Sequence, residues 1–233
     1  PALNIQGRRF QVAERSGLTY LTENPFKLGP AFGDMDNDGD LDLFVPQNGK
    51  PMLFENNGDG TFVDVTDAAG DLAVAAAFAR SAVWGDIDLD GLLDLIVGYP
   101  KGYARLFRNT GSNVFTDESR ASNLSAHSAA LSATGMVLAD FDNDGDLDIF
   151  ACVYFGDGNR GNVVAFPVPY FDATNGGSNV LLRNEGGFKF TDVTELVGLD
   201  EGRTRYALGA AFEDYDNDGD QDLYVANDFG RNL

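Results

Sequence analysis

One nine-residue motif occurs four times in this 233-residue chain and constrains its architecture more than any other feature. Its skeleton is D-x-D-x-D-G-x-x-D, with acids at positions 1, 3, 5 and 9 and a glycine at position 6. The copies span 34–42, 86–94, 140–148 and 214–222, so their starts are 52, 54 and 74 residues apart. A motif that returns after roughly 50 residues is typical of a repeat protein.

Strand-like segments surround each copy of the motif. An apolar run follows it, at 41–45, 93–97, 147–151 and 222–226, and a run of small residues precedes it, as at 81–85 and 207–212. Further downstream, two more strand-like segments flank a glycine-containing turn, as at 53–58 with 61–66. The predicted repeat is therefore strand A, acidic loop, strand B, turn, strand C, hairpin, strand D, in an all-β protein.

Four strands in each unit of about 50 residues favour the blades of a β-propeller. A single blade cannot bury both of its faces, so blades must stack side by side. A solenoid or a sandwich is the alternative. Residues 1–18 resemble a strand D with its exit turn, so they either close the last blade of a four-bladed ring or belong to a larger propeller. The longer third interval contains an insertion at 154–178, between strands B and C, on the side opposite the acidic loops.

Carboxylates at this spacing can surround a hard divalent cation with oxygen ligands, and a glycine at position 6 allows the sharp turn that the loop needs. We expect position 7 to add its backbone carbonyl. The predicted ligands are Asp34, Asp36, Asp38, Asp40 and Asp42; Asp86, Asp88, Asp90, Leu92 and Asp94; Asp140, Asp142, Asp144, Asp146 and Asp148; and Asp214, Asp216, Asp218, Asp220 and Asp222.

Calcium, with up to four ions, is the predicted cofactor. Magnesium fits less well because it requires near-octahedral geometry and retains its waters. An EF-hand is disfavoured, since that loop ends in an acid at position 12 between two helices, whereas position 12 here is Val45, Val97, Ala151 or Val225. The second loop has leucines at 89 and 92 and is predicted to be the weakest site. We expect calcium to be structural, holding the A–B hairpin of each repeat.

The composition narrows the possible partners and location. There are 37 acidic and 16 basic residues, giving a net charge of −21 that disfavours nucleic acid. One cysteine (Cys152) and one histidine (His127) argue against a disulfide framework and a Cys/His zinc site. No apolar run reaches the roughly 20 residues of a transmembrane helix. Calcium sites of extracellular modules bind at about 10⁻⁴–10⁻³ M, so a secreted, periplasmic or cell-surface location is expected.

The acidic loops resemble those of FG-GAP/VCBS repeat proteins, the class that includes the integrin α-subunit propellers. The segments 214–230 and 190–199 resemble the cartilage acidic protein and ASPIC/UnbV group more closely. The resemblance implies a calcium-binding propeller, usually with more than four blades. Members of the family are mostly extracellular and many have no assigned biochemical activity, so the resemblance also implies an extracellular protein.

The insertion supplies candidate ligand-binding side chains: Tyr154, Phe155, Asp157, Arg160, Phe166, Tyr170 and Phe171. They could stack on a sugar or contact a protein, or they could simply cap one end of the fold. No catalytic residue is predicted, because His127 has no recognisable partner in the sequence. The favoured function is a structural, adhesion or complex-assembly module, free or as a subunit of a membrane-associated complex. A carbohydrate-active lyase or hydrolase is the alternative.

Overall fold

The computed structural model describes residues 4–5, 8–9, 16–18, 29–75, 77–99, 104–124, 133–154, 167–229 and 231–232. The strands within these ranges are β1 (Asn4–Ile5), β2 (Arg8–Arg9), β3 (Ala31–Gly33), β4 (Asp42–Val45), β5 (Asn48–Gly49), β6 (Met52–Asn56), β7 (Phe62–Asp64), β8 (Ala77–Phe78), β9 (Ser81–Gly85), β10 (Asp94–Gly98), β11 (Arg105–Asn109), β12 (Phe115–Asp117), β13 (Ala133–Ala139), β14 (Asp148–Val153), β15 (Val180–Asn184), β16 (Phe190–Asp192), β17 (Ala207–Glu213) and β18 (Asp222–Asn227). Two short 3-10 helices span Thr66–Ala68 and Asp71–Val74.

Each of the first three repeats forms a four-stranded antiparallel sheet. The strand orders are β3-β4-β6-β7, β9-β10-β11-β12 and β13-β14-β15-β16. The fourth repeat contributes the β17-β18 hairpin, and β1-β2 and β5-β8 form separate two-stranded sheets. The predictions of an all-β chain and of four-stranded antiparallel units are confirmed. In the described part of the chain, no helix is long and apolar enough to cross a membrane.

The second strand of each four-stranded sheet is the most buried, because it lies between two neighbouring strands. In the second and third sheets it also has sheets on both faces. All five residues of β10 and all six of β14 are buried, as their nearly continuous apolar sequence predicts. The core therefore lies between adjacent sheets. Between the second and third sheets, Ile96 and Leu106 belong to the same buried cluster as Ile149 and Leu182.

Successive repeats pack through their first strands. β3 contacts β9, β9 contacts β13, and β13 contacts β17. At the first of these contacts, a Cβ added to Gly33 would lie 2.6 Å from the Trp84 ring, so only glycine leaves room for the indole. Trp84 Nε1 also donates a hydrogen bond to the Ala31 carbonyl at 3.3 Å. The first strands thus form a continuous series along which the repeats are ordered.

The predicted B strands all exist, and each begins at or one residue after the predicted start. The role of residues 1–18 in closing the last repeat stays a prediction. Among those residues, β1 pairs with β2, and the Ser16 carbonyl accepts a hydrogen bond from Phe62 N at 2.8 Å, beside the first sheet.

Candidate metal centre

The four acidic loops share one backbone conformation. Position 4 and the glycine at position 6 both have positive φ, for example 60° at Asn37 and 94° at Gly39. Glycine and asparagine tolerate this left-handed region, whereas a larger residue is disfavoured there. In the second loop, position 4 is Leu89, with φ 58°. That loop keeps the common shape in spite of an unfavourable residue.

The first aspartate closes each loop from within. Asp34 Oδ1 accepts a hydrogen bond from Asp38 N at 3.1 Å, and its Oδ2 accepts one from Gly39 N at 3.0 Å. The same pair of bonds occurs at Asp86, Asp140 and Asp214. The fifth-position carboxylate accepts a bond from the position 7 amide, as Asp38 does from Asp40 N at 2.8 Å. These bonds use backbone donors and orient the carboxylates.

Each loop brings three carboxylates together, with one oxygen of each within 4.8 Å of the others. The first and third loops group positions 1, 3 and 9, and the second and fourth group positions 1, 3 and 5. The members are Asp34, Asp36 and Asp42; Asp86, Asp88 and Asp90; Asp140, Asp142 and Asp148; and Asp214, Asp216 and Asp218. Such oxygen donors fit a calcium ion. The coordinating role of the position 7 carbonyls stays a prediction.

The ninth aspartate also has a structural function that spacing alone does not reveal. In the second loop, Asp94 is 0% exposed. Its Oδ2 accepts a hydrogen bond from Ile87 N at 3.0 Å and its Oδ1 accepts one from Asn109 N at 2.9 Å. This carboxylate therefore joins its own loop to the third strand of the sheet. Asp42 and Asp148 are equally buried and make the equivalent pairs of bonds.

Burial raises the pKa of the Asp94 carboxyl to about 7 and that of Asp148 to about 6. The backbone hydrogen bonds oppose this shift, and the nearby loop carboxylates add to it. Burial also raises the pKa of Asp42. A carboxylate that is costly to ionise in a metal-free protein gains most from a neighbouring cation. The buried end of the loop is thus electrostatically suited to a divalent ion.

An asparagine at the end of the third strand connects neighbouring repeats. Asn109 Nδ2 donates to the Leu93 carbonyl of its own loop at 3.2 Å and to the Met35 carbonyl of the preceding loop at 2.7 Å. Asn184 bonds the Leu147 and Ile87 carbonyls in the same way. The metal-ligand spacing does not predict this function of the asparagines. The recurrence of Asn-x-Gly after strand C, at 56–58, 109–111 and 184–186, is the signal that could have found it.

The fourth loop is less covered than the first three. Asp222 is only partly buried, and its Oδ2 accepts a hydrogen bond from Tyr215 N at 3.1 Å. The described residues include no third strand beside β18. Tyr215, at position 2 of this loop, is 77% exposed, whereas its equivalents Met35 and Ile87 are buried. The internal geometry of the loop is nevertheless unchanged.

The opposite ends of the strands carry an aromatic cluster, which we call the aromatic edge: Tyr154, Tyr170, Phe171, Tyr206 and Phe229. The ring centroids of Tyr154 and Tyr206 are 5.2 Å apart, and Phe229 lies 5.7 Å from Tyr206 and 5.3 Å from Tyr170. Phe171 is 89% exposed.

The structure therefore brings three of the predicted ligand-binding residues, Tyr154, Tyr170 and Phe171, into one cluster. It adds Tyr206 and Phe229, which the sequence analysis missed because they lie far away in the chain. Four other candidates, Phe155, Asp157, Arg160 and Phe166, lie outside the described residues, as does His127. The role of these residues in ligand binding stays a prediction.

The loops also identify the family. The FG-GAP-like repeat family matches residues 34–97 and 86–151, each match running from one acidic loop through the strand after the next loop. The chain belongs to the FG-GAP-like repeat family. Cartilage acidic protein 1 of Xenopus tropicalis is 34% identical over 142 residues, which cover 60% of this chain and 21% of that protein. Its Homo sapiens counterpart is 28% identical over 220 residues, 93% of this chain and 30% of that protein.

These matches confirm the expected resemblance to FG-GAP repeats and to the cartilage acidic protein group. The chain spans 21% to 30% of the length of these relatives. Among solved structures, an Agrocybe aegerita lectin described as recognising non-reducing terminal N-acetylglucosamine aligns with a TM-score of 0.53. It is 18% identical, and the alignment covers 97% of this chain and 57% of the lectin chain. At this identity the likeness concerns the fold alone.

Proposed function

We propose that this FG-GAP-like repeat chain is a calcium-stabilised β-propeller module with a structural, adhesion or complex-assembly function. The observation that carries the proposal is the fourfold recurrence of one loop geometry, in which three carboxylates converge and the amides of positions 5, 6 and 7 donate to carboxylates of the loop. Convergent carboxylates repel one another unless a cation lies between them. A bound dication would relieve this repulsion in the same way at each of the four loops.

Calcium would act on the hairpin between the first two strands. At the first loop, the groups to hold it are Asp34 and Asp36 on the loop and Asp42 at the start of β4. Because Asp42 also accepts a hydrogen bond from Asn56 N at 2.8 Å, a cation at this site would connect the loop to the third strand. The ion supplies positive charge to this cluster, and the protein supplies oriented oxygens.

The propeller arrangement is supported by the order of the sheets. Successive sheets pack through their first strands, as blades do around an axis, and apolar residues fill the space between them. The lectin alignment over 97% of the chain agrees with this architecture at the level of the fold.

We further propose an extracellular location and a protein or glycan partner. The extracellular medium contains enough calcium to fill sites of about 10⁻⁴–10⁻³ M affinity. The cartilage acidic protein relatives support this setting by name. The exposed side chains of the aromatic edge, above all Tyr170 and Phe171, form the proposed contact surface. Large aromatic side chains are enriched in the energetically important centres of interfaces.

The proposal is tested by native mass spectrometry and calorimetry of the chain after treatment with EGTA. We expect several calcium ions to bind, with affinities at or below the millimolar range, and magnesium to bind more weakly. A variant with Asp34→Asn and Asp36→Asn should bind one ion fewer. A chain that binds no calcium at millimolar concentration would refute the proposal.

A further inference from the structure

We infer that Arg108 serves as a built-in cation of the second acidic loop and competes there with calcium. This inference rests on the proposed calcium binding of the loops and specifies how one of them differs. Arg108 belongs to β11, the third strand of the second sheet. Its Nη2 lies 2.8 Å from Asp88 Oδ2 and 3.0 Å from Asp90 Oδ2. Both carboxylates belong to the group that would hold the metal ion.

The guanidinium is held in place by the next repeat. Its Cζ lies 5.7 Å from the centroid of the Phe188 ring, in the hairpin between β15 and β16. A cation over an aromatic face is attracted by the ring quadrupole. Contacts on both sides restrict the rotamers of Arg108, so its charge stays at the loop. Among the described residues, Asp88 Oδ1 is buried and has no hydrogen-bond partner, which leaves one oxygen of this residue available to a metal ion.

The equivalent positions in the neighbouring repeats differ. In the first repeat the asparagine equivalent to Asn109 is Asn56, and the residue before it is Glu55, which accepts a hydrogen bond from Asn113 Nδ2 at 2.6 Å. In the third repeat it is Arg183, whose Nε and Nη2 donate to Glu185 at 3.0 and 2.7 Å. Only in the second of these three described sheets does an arginine pair directly with two loop carboxylates.

The charge of the loops fits this assignment. The first, third and fourth loops each contain five aspartates, whereas the second contains four, with Leu92 at position 7. The Arg108 guanidinium further lowers the net negative charge of the second loop. It neutralises the carboxylates when calcium is scarce and repels the incoming ion when calcium is present. The second loop should therefore keep its shape without metal and bind calcium most weakly.

The position 6 glycines allow each loop to be followed separately in the full chain. Gly39, Gly91, Gly145 and Gly219 each donate a hydrogen bond to the first aspartate of their loop, so their amide NMR resonances should respond to metal binding. In the wild-type chain, we expect the Gly91 resonance to respond at about fivefold higher calcium concentration than the other three, because the interaction of a paired, partly exposed charge is of that order.

Replacement of the arginine provides the decisive comparison. Arg108→Gln should lower the calcium concentration at which Gly91 responds by about fivefold and leave the other three glycines within twofold. Arg108→Lys keeps the positive charge, so the second loop should still bind calcium more weakly than the other loops. Arg183→Gln is the matched control, because it removes an arginine from the equivalent strand position, and should leave Gly91 within twofold of the wild type.

The outcomes separate this inference from the proposed function. If the other three glycines respond and Gly91 responds at the same concentration in the wild type and Arg108→Gln, Arg108 is not a competing cation. If none of the four responds, the proposed function fails as well. If Arg108→Gln does not fold, a calcium titration of the wild-type chain still tests the inference. The Arg108 Nε resonance must then change in step with Gly91 during the titration, and an unchanged resonance at saturation would overturn the inference.

Discussion

The third and fourth acidic loops have the same internal hydrogen bonds, but their ninth aspartates lie in different surroundings. Asp148 is buried and bonds both Phe141 N and Asn184 N, whereas Asp222 is partly exposed and bonds Tyr215 N. The shape of a loop is therefore encoded locally, in its nine residues. The burial of its last carboxylate comes from a third strand and from the adjacent repeat.

Removal of calcium should have the largest effect and should separate the two loops. Binding to the native state alone contributes about 2.7 kcal/mol per site when calcium is at 100 times Kd, so EGTA should lower the free energy of unfolding by several kcal/mol. Limited proteolysis in EGTA should cleave the fourth loop before the third. Equal cleavage of both loops would contradict the prediction that burial of the ninth aspartate protects the third loop.

Asp148→Ala should be the most damaging single substitution of the two loops. It leaves two buried backbone donors without an acceptor, at a cost of about 1–3 kcal/mol each. We expect a loss of about 3 kcal/mol in urea unfolding, measured in EGTA so that metal binding does not contribute. Asp148→Asn, which keeps one acceptor, should lose less. A loss below about 1 kcal/mol would contradict the function assigned to the buried carboxylate.

The stability of the metal-free chain should depend on pH through the same carboxyl. Because burial raises the pKa of Asp148 to about 6, the folded state binds more protons than the unfolded state between about pH 4 and 6. The free energy of unfolding should then fall as the pH rises through this window, by up to about 3 kcal/mol. Asp148→Asn should reduce this fall, while the raised pKa values of Asp94 and Asp42 still contribute to the profile. An unchanged profile in Asp148→Asn would contradict the prediction.

Asn184→Ala should show how much the hydrogen bond between repeats contributes to the stability of the third loop relative to the fourth. The substitution removes donors to the Ile87 and Leu147 carbonyls, and we expect a loss of about 1.5 kcal/mol. Asn56→Ala is the matched control, since the side-chain amide of Asn56 donates to Leu41 O, within its own repeat. Equal losses for the two variants in chemical denaturation would argue against the contribution of the inter-repeat bond.

Asp222→Ala should have the smallest effect in EGTA, about 1 kcal/mol or less, because the Tyr215 amide that it leaves unpaired can bond to water. The same urea titration used for Asp148→Ala gives the comparison directly. If the two alanine variants are equally destabilised, the surroundings of the ninth aspartate do not govern its contribution.

Much of the architecture follows from the repeat spacing. The acidic loops, the strands after them and the antiparallel hairpins are local features, and β4, β10 and β14 begin at the ninth aspartate of their loop, one residue after the predicted start. That carboxylates converge in each loop also follows from spacing within nine residues. Which three converge, positions 1, 3 and 9 or positions 1, 3 and 5, could not be predicted in this way.

Contacts between distant segments could not be predicted in this way. Arg108 reaches the second loop from a strand 18 residues beyond Asp90. The local sequence shows only that Arg183 has an acidic partner two residues later, Glu185, where Arg108 is followed by Thr110; it does not show which carboxylates Arg108 contacts. Tyr206 and Phe229 join Tyr154 only through the packing of two repeats. The contacts between these residues depend on strand register and on the packing of the repeats. Neither can be read from a single sequence.

The close approach of Trp84 to Gly33 has a consequence for how such a chain can be rearranged. The positions equivalent to Gly33 in the third and fourth repeats are Ala139 and Glu213. A duplication or shuffling event that placed the Trp84 repeat behind either of them would drive the indole into a side chain. The repeats are thus not interchangeable, because the contacts between neighbouring repeats permit only one order along the chain.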